Sequence, residues 1–466
     1  MDGLRFYVKT YGCQMNVYDS DKVSALLLCS GMSKVEELDD ADVVVLNTCH
    51  VREKAKHKVY TELGYLRERK EARFAEGKPF IIAVGGCVAQ AEGAKMLERA
   101  PFVDIVFGPH TYNELPNMIR SVRKPTDDGD HVALETAHLE IFFKNKRPRL
   151  LNIGFSSEDK YKSLPFLNVE KKSAYLAIQE GCDKFCTYCV VPHTRGREVS
   201  RDAQAIIQEA KSMAASGVCE ITLLGQNVNS YRYEDVSEKW LFADLIRAVC
   251  EIDGIKRVFY TSSHPVDVTL DLIKAHAELP QLMPFWHLPV QSGSTNVLRA
   301  MNRHYSVDDY KRTVDNIRKY NPDIAMCSDF IVGFPGEDDE AFEQTLELVR
   351  YVNYAQAFSF KYSPRPNTVA CDLPDQVDDS VKAERLARLQ SLLREQQTQF
   401  NTNCIGQTLS VLFQKHGKCS NQVLGKSQFM QSVVLHTPNP EMYMNSIRNV
   451  FITGATLSCL EGRIVN

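Results

Sequence analysis

Three cysteines share one short loop, Gly181-Cys182-Asp183-Lys184-Phe185-Cys186-Thr187-Tyr188-Cys189, at C-x3-C-x2-C spacing. Three thiolates so placed can wrap a small inorganic centre. Iron–sulfur clusters ordinarily take four cysteines, so three leave one iron open to bind and reduce something. Two other readings stand beside this one. His193, four residues beyond Cys189, could complete a Cys3His zinc site. The three thiols could also be unrelated buried residues.

A second set is dispersed. Cys13, Cys49 and Cys87 each come immediately after a short apolar, β-branched run, at 6–12, 43–48 and 80–86. Ligands of open α/β sheets bind outside the carboxyl ends of the strands. Three cysteines there can converge although far apart in the chain. Taken one at a time, each reads as a small buried residue at a strand end. Cys29, inside a helical pattern, reads as core.

The elements that must position these residues follow from periodicity. The three runs, a fourth at 104–108 and the helical patterns between them predict a parallel α/β sheet, with a domain over 1–122. Residues 123–167 read as a linker, with charged stretches at Lys124–Asp130, Lys144–Arg147 and Ser156–Lys160. From 168 to 402, strand candidates at 174–178, 220–227, 257–263, 283–290, 324–334 and 354–362 alternate with helices. Six βα units suggest a partial barrel, whose active site belongs at the carboxyl ends of its strands. The three-cysteine loop follows the first of them.

Polar residues gather where those strands stop: Gln226 and Asn227; Ser262, Ser263 and His264; Gln291, Ser292 and Gly293; Asp329, Gly333, Gly336 and Glu337; Tyr362, Ser363 and Arg365. Singly, each suits a turn or a helix cap. Together they make a polar mouth for a charged, hydrogen-bonding cofactor. Asn227, Ser263, Gln291 and Asp329 are its expected contacts, and Arg195, Arg197 and Arg365 the expected substrate contacts. A long helix over 378–401 closes this region. Strand-like alternation at 408–413, 431–436 and 446–452 predicts a small antiparallel β-barrel over 403–466.

Bulk properties narrow the class. At 466 residues, two or three domains are expected, and 44% hydrophobic with 24% charged residues is ordinary for a globular chain. No apolar run approaches the roughly 18 residues of a membrane span. Met1–Arg5 lacks a charged-then-apolar leader, so a cytoplasmic protein is expected. There, fourteen Cys speak for metal or catalytic use and free thiols rather than disulfides. The net charge is −4. Residues 403–466 hold five Lys/Arg against two Asp/Glu, or +3, leaving −7 for the remainder. That asymmetry suggests a segment facing nucleic acid.

These motifs, taken together, resemble the radical S-adenosylmethionine (SAM) methylthiotransferases over nearly the whole chain. "YGCQMN" (11–16), "NTCHVREKA" (47–55) and "GGCVAQ" (85–90) are similar to the family's cysteine-bearing domain. "EGCDKFCTYCVVPHTRGREVSR" (180–201) is similar to its cluster loop. "LLGQNVNSY" (223–231), "SSHP" (262–265), "HLPVQSGS" (287–294) and "DFIVGFPGE" (329–337) are similar to its core motifs. Residues 403–466 resemble a TRAM domain, a small RNA-binding barrel. Gln14 after Cys13 and His50-Val51-Arg52 after Cys49 resemble the branch that acts on isopentenylated adenosine in bacterial tRNA. The ribosomal-protein branch typically carries proline after the first cysteine and a "TCGF"-like second motif. "HTRGRE" departs from the usual "YTRGEE", which adds Arg197 near the mouth.

The resemblance implies that Cys182, Cys186 and Cys189 hold a SAM-reducing [4Fe-4S] cluster, and that Cys13, Cys49 and Cys87 hold a second one. One SAM methylates a sulfur on the second cluster. Another yields a 5′-deoxyadenosyl radical, which takes hydrogen from the adenine carbon between the two pyrimidine-ring nitrogens. Sulfur must then be within bonding reach, so the two mouths must face each other. The implied partners are the anticodon stem-loop of tRNA with its isopentenyladenosine unstacked, an electron donor such as flavodoxin or ferredoxin, and a sulfur source; no membrane is implied. Alternatives are a methylthiotransferase for threonylcarbamoyl-adenosine or for a ribosomal protein, and, without chemistry, a zinc-organised RNA-binding protein.

Overall fold

The computed structural model describes residues 3–50, 53–123, 138–144, 147–155, 160–162, 164–165, 171–236 and 238–465. The chain forms two compact units. One comprises residues 1–168, 179–183 and 190–205, the other residues 169–178, 184–189 and 206–466.

The first unit is built on a seven-stranded sheet. Its strands are β1 (Arg5–Thr10), β2 (Ser33–Lys34), β3 (Val43–Thr48), β4 (Ile81–Gly86), β5 (Ile105–Phe107), β6 (Leu139–Lys144) and β7 (Arg147–Asn152). They lie in the order β2-β1-β3-β4-β5-β7-β6, parallel except for the edge strand β6. All of β3 and β4 is buried, which is why both read as unbroken apolar runs: a parallel sheet is covered on both faces. Alternate side chains feed opposite faces. Val44, Leu46, Ile82 and Val84 join one core, and Val43, Val45, Ile81 and Ala83 the other. Helix Glu53–Ala75 brings Val59, Leu63 and Leu66 to the first core. Helix Gln14–Cys29 brings Val23 and Leu27 to the second.

Two expectations change here. Much of the stretch read as a linker belongs to the sheet, since β7 pairs with β5 and carries β6 on its far side. Residues 124–137, 145–146, 156–159, 163 and 166–167 of that stretch lie outside the described residues, as do Val51 and Arg52 of the second motif. Cys29 is exposed rather than core. By helical angle it lies on the same face as Met15, Tyr18 and Lys22, but it is the last residue of the helix and burial stops at Leu27.

The later strands continue in chain order: β8 (Ser173–Ala177), β9 (Gln179–Glu180), β10 (Val199–Ser200), β11 (Glu220–Leu224), β12 (Arg232–Glu234), β13 (Lys239–Leu241), β14 (Arg257–Tyr260), β15 (Phe285–His287), β16 (Ala325–Val332) and β17 (Gln356–Lys361). β9 and β10 pair antiparallel inside the first unit, and β12 with β13 inside the second. In the second unit, β14-β11-β8 and β15-β16-β17 are parallel sheets, linked by a parallel bridge from Val258 to Leu282. All six strands therefore end on one side, as the partial-barrel reading required.

After the helix Asp379–Asn403, a closed five-stranded barrel follows. It consists of β18 (Thr408–His416), β19 (Gln422–Ser427), β20 (Ser432–His436), β21 (Ser446–Ala455) and β22 (Leu460–Ile464). β19 and β22 carry Gly425 and Gly462, which blur strand alternation in sequence. Each glycine lies against a neighbouring strand's backbone, where a Cβ would come within 2.6 Å of Leu412 O or Phe451 O respectively. The barrel shares a core with the parallel strands, because Val411, Phe413 and Val450 cluster with Phe259, Phe285 and Ala325. Arg257 ties the two together. It is 1% exposed, meets Glu220 at 3.2 Å, and donates to Lys426 O at 3.0 Å and Ser427 O at 2.7 Å.

Arg257→Met would leave the buried Glu220 without its counter-ion and two barrel carbonyls without their donor. We expect a loss of about 3 kcal/mol, measured by urea unfolding. A loss below about 1 kcal/mol would show that the shared apolar core alone holds the barrel.

Candidate functional site

In the first unit, Cys13 caps the start of helix Gln14–Cys29, Cys49 follows β3, and Cys87 opens helix Cys87–Glu92. All three stand at the carboxyl edge of one sheet, with Cys13 exposed and Cys49 and Cys87 buried. Two buried amides lace the edge together. Asn16 donates to Asn47 Oδ1 and to Thr48 O, both at 3.0 Å, and Asn47 donates back to Asn16 O at 2.9 Å. The glycines of "YGC" and "GGC" allow the close approach. Gly12 has φ +137°, and a Cβ there would come within 2.2 Å of Cys49 Cβ. Gly86 has φ +89°, and its Cβ would come within 2.4 Å of Thr48 O. A hydrogen bond with Cys49 lowers the Cys13 pKa to about 6, with the charge of Arg195 adding to it.

Arg195 is the main correction. The sequence placed it with Arg197 and Arg365 as a substrate contact, yet it is 3% exposed and fully engaged. Its Nε donates to Cys87 Sγ at 3.4 Å, Nη1 to Glu180 Oε1 at 2.8 Å and Nη2 to Asp19 Oδ2 at 2.9 Å. Burial disfavours its charge, but Cys87, Asp19 and Glu180 outweigh that and hold it protonated. Lys160 meets Asp19 at 3.2 Å and Glu180 at 2.6 Å. Tyr161 donates to both acids, and Tyr112 to Asp19. Of the buried charges and tyrosines in this set, only Arg195 was singled out from the sequence as a site residue. Arg197, by contrast, is exposed and paired with Asp183 at 2.8 Å.

Of the loop cysteines, Cys182 belongs to the first unit, its N–H donating to Gly196 O. Cys186 and Cys189 belong to the second. There Thr187 N donates to Met301 O, and Asn302 donates to the carbonyls of Lys184 and Phe185. Arg303 donates Nη1 to Cys186 Sγ at 3.6 Å, Nη2 to Pro289 O at 2.6 Å and Nε to Tyr305 Oη at 3.0 Å. The sequence reading missed Arg303. Among the described residues, no three metal-binding side chains gather on one point.

Several of the second unit's rim residues bear marks of a binding mouth. Asn227 Oδ1, Ser263 Oγ, His264 Nε2 and Tyr362 Oη are buried and lack a hydrogen-bond partner; they follow β11, β14, β14 and β17. Asn227 is aimed by its Nδ2 bond to Asp267 at 2.8 Å. Burial, helped by Arg303, pushes His264 down to about 2, so its ring is neutral. Phe185, Ser262 and Gln291 have φ of 47°, 66° and 76°, a strained region for non-glycine residues that concentrates at functional sites. Gln291 N donates to Asp329 O, and Asp329 Oδ2 lies 3.4 Å from His287 Nε2. Arg365 is half-buried in the loop after β17. Two rim expectations are structural instead. Glu337 accepts from Gly333 N at 2.7 Å and meets Arg385 at 3.0 Å. Gly293 lies against Thr345 of helix Asp339–Val352.

Among the described residues, no helix is long and apolar enough to cross a membrane. Residues 5–108 match the model described as uncharacterized protein family UPF0004, and residues 176–349 match the Radical SAM superfamily. The chain is 46% identical, over 99% of both sequences, to a protein named tRNA-2-methylthio-N(6)-dimethylallyladenosine synthase from Rickettsia conorii, and equally to one from Rickettsia rickettsii. It is also similar to the radical S-adenosylmethionine methyltransferase TsrM from Kitasatospora setae. The TM-score is 0.55 at 14% identity over 80% of this chain and 74% of that one, a likeness of fold alone.

Gly86→Ala should lower stability by about 3 kcal/mol, since left-handed strain and overpacking add. Gly77, at φ +69° with no atom within 4 Å of its would-be Cβ, carries only the strain, about 1–2 kcal/mol on substitution by Ala. Urea unfolding of both variants checks this. Equal losses would refute close packing behind Cys87.

Proposed function

The chain belongs to the family of tRNA-2-methylthio-N(6)-dimethylallyladenosine synthases within the Radical SAM superfamily, and on that premise we infer that it inserts a methylthio group into isopentenylated adenosine beside the anticodon of tRNA. The observation that carries this reading to the site is the placement of Cys13, Cys49 and Cys87 at one sheet edge, with Cys13 bonded to Cys49 and Arg195 bonded to Cys87, apart in sequence from the loop triad. Each set offers three sulfurs for a [4Fe-4S] cluster and leaves one iron for another ligand. Sulfur donors with a guanidinium beside each set, Arg195 at Cys87 and Arg303 at Cys186, fit an anionic cluster. When bound, the loop cluster supplies the electron that splits SAM and the other presents the sulfur.

The protein's own part is placement. Asn227 Oδ1, Ser263 Oγ and neutral His264 Nε2 offer hydrogen bonds to the polar groups of SAM. Gln291 follows β15, and Asp329 lies within β16 beside His287. Arg303 steadies Cys186. Arg197 and Arg365 remain candidates for RNA phosphate. Threonylcarbamoyl-adenosine carries a carboxylate and would need a cation at the base, and Arg195 is already committed to two acids and a sulfur. That supports the apolar isopentenyl group, as do the names of the relatives. An electron donor such as flavodoxin or ferredoxin, a sulfur source and a cytoplasmic setting complete the reading. Family membership sets aside the zinc-organised RNA-binding alternative.

The anaerobically reconstituted enzyme should bind about eight irons, and a Cys182/Cys186/Cys189→Ala variant about half. Offered isopentenylated and threonylcarbamoylated anticodon stem-loops, it should turn over the former. Five buried carbons contribute about 2–4 kcal/mol toward that choice. Mass spectrometry showing methylthio product on the threonylcarbamoylated RNA instead would reverse the substrate assignment.

RNA binding by the barrel is a separate reading, motivated by its +3 charge. Lys415 and Lys418 are exposed on it. Replacing both by Glu should weaken tRNA binding and lessen the slope of log affinity against log salt by about 1 for each phosphate no longer neutralised. An unchanged slope would assign the barrel a structural role.

A further inference from the structure

We propose that Arg195 is a positioning residue for the Cys13–Cys49–Cys87 centre, fixing the Cys87 sulfur and raising the reduction potential of the cluster held there. The inference rests on the assignment of a [4Fe-4S] cluster to these cysteines.

The geometry is specific. A guanidinium is a planar fork of five N–H donors, and all three nitrogens of Arg195 are used. The two Nη atoms are each held by a buried carboxylate, Glu180 at 2.8 Å and Asp19 at 2.9 Å. That fixes the plane and leaves Nε directed at Cys87 Sγ. The acids are themselves held from behind. Tyr161 donates to Asp19 at 2.9 Å and to Glu180 at 3.0 Å, and Lys160 bridges both. His110 Nε2 lies 2.9 Å from the Arg195 carbonyl, which pins the backbone of the same residue. The guanidinium has no freedom to turn elsewhere.

The charges point the same way. Asp19 and Glu180 against Arg195 and Lys160 sum to zero without the cysteine. A neutral set of four buried ions is seldom more stable than well-packed apolar residues of the same volume. Stability alone is therefore a poor reason for the set. Its donor to the cysteine edge is the N–H on Cys87 sulfur. Hydrogen bonds to cluster sulfurs and nearby charge set cluster potentials. An N–H donor on a cation favours the reduced, more negative state, so it raises the potential. An ion-pair network serving only the fold would leave the potential where it is.

The test uses a full-length Cys182/Cys186/Cys189→Ala chain, so that iron is held at one centre, reconstituted anaerobically and titrated by EPR-monitored potentiometry. Arg195→Gln should shift the midpoint negative by at least 59 mV, the one-electron equivalent of a tenfold fall in the reduced-to-oxidised ratio. Arg195→Lys keeps the charge but cannot serve three acceptors in one plane, and should fall between. With Arg195 intact and arginine labelled with ¹⁵N, pulsed EPR of the reduced cluster should show a coupled nitrogen. About four irons with an unchanged midpoint in both variants would overturn the proposal, and so would absence of the ¹⁵N coupling if the variants do not fold. A parent chain with native Arg195 that binds no iron would instead overturn the cluster assignment itself.

Discussion

Parallel strands of one sheet end on the same side, and the chemistry of this protein depends on that constraint. In the first unit it gathers Cys13, Cys49 and Cys87, which lie 36 and 38 residues apart in the chain. In the second it gathers Asn227, Ser263, His264 and Tyr362 from the ends of three strands. No local motif could do either. The apolar runs that build the sheets therefore fix the site as well. An in-register parallel ladder, such as Val43–Thr48 against Ile81–Gly86, sets how far each cysteine stands beyond its neighbour.

Convergence has a steric and an electrostatic cost. Chains that turn away from adjacent strand ends must pass close to one another, and Gly12 and Gly86 occupy the points where a Cβ would strike Cys49 or Thr48. Backbone carbonyls at these turns need donors, and the Asn16–Asn47 pair supplies them to Thr48 O and Asn16 O. The electrostatic side is met by burying two acids and two bases together. Removing any one member leaves its partner charged in a dry interior, which typically costs about 3–5 kcal/mol. The set is thus rigid, and rigidity at Cys87 is what a fixed sulfur donor needs.

Legibility in the sequence followed the length of the signal. The positions of Cys13, Cys49 and Cys87 after strands and all six strands of the partial barrel could be read, because spacing and apolar runs are local. β6 and β7 were read as linker because the run containing Pro148 and Arg149 looks like a loop, and only pairing with β5 makes it a strand. β19 and β22 were missed because Gly425 and Gly462 interrupt the alternation. Arg195 was assigned to the substrate because a charged residue near a mouth is usually exposed. Its partners Cys87 and Asp19 lie 108 and 176 residues away, and no sequence pattern announces a buried salt-bridge set so dispersed. The strain at Ser262 and Gln291 was equally silent, since neither residue type signals a left-handed backbone.

Each cysteine set has one guanidinium on a sulfur, yet the two arginines are not equivalent. The remaining donors of Arg195 go to two carboxylates, and Lys160 completes a neutral set. The remaining donors of Arg303 go to the carbonyl of Pro289 and the hydroxyl of Tyr305, which carry no charge. In a low-dielectric interior a cation with neutral partners keeps its field, while one between two acids has part of it offset. Arg195 therefore acts on Cys87 mainly through the directed N–H. Arg303 adds an uncompensated positive charge beside Cys186. The same residue type thus gives a short-range donor in one unit and a longer-range field in the other, and the difference is set by the acceptors that each fold places around it.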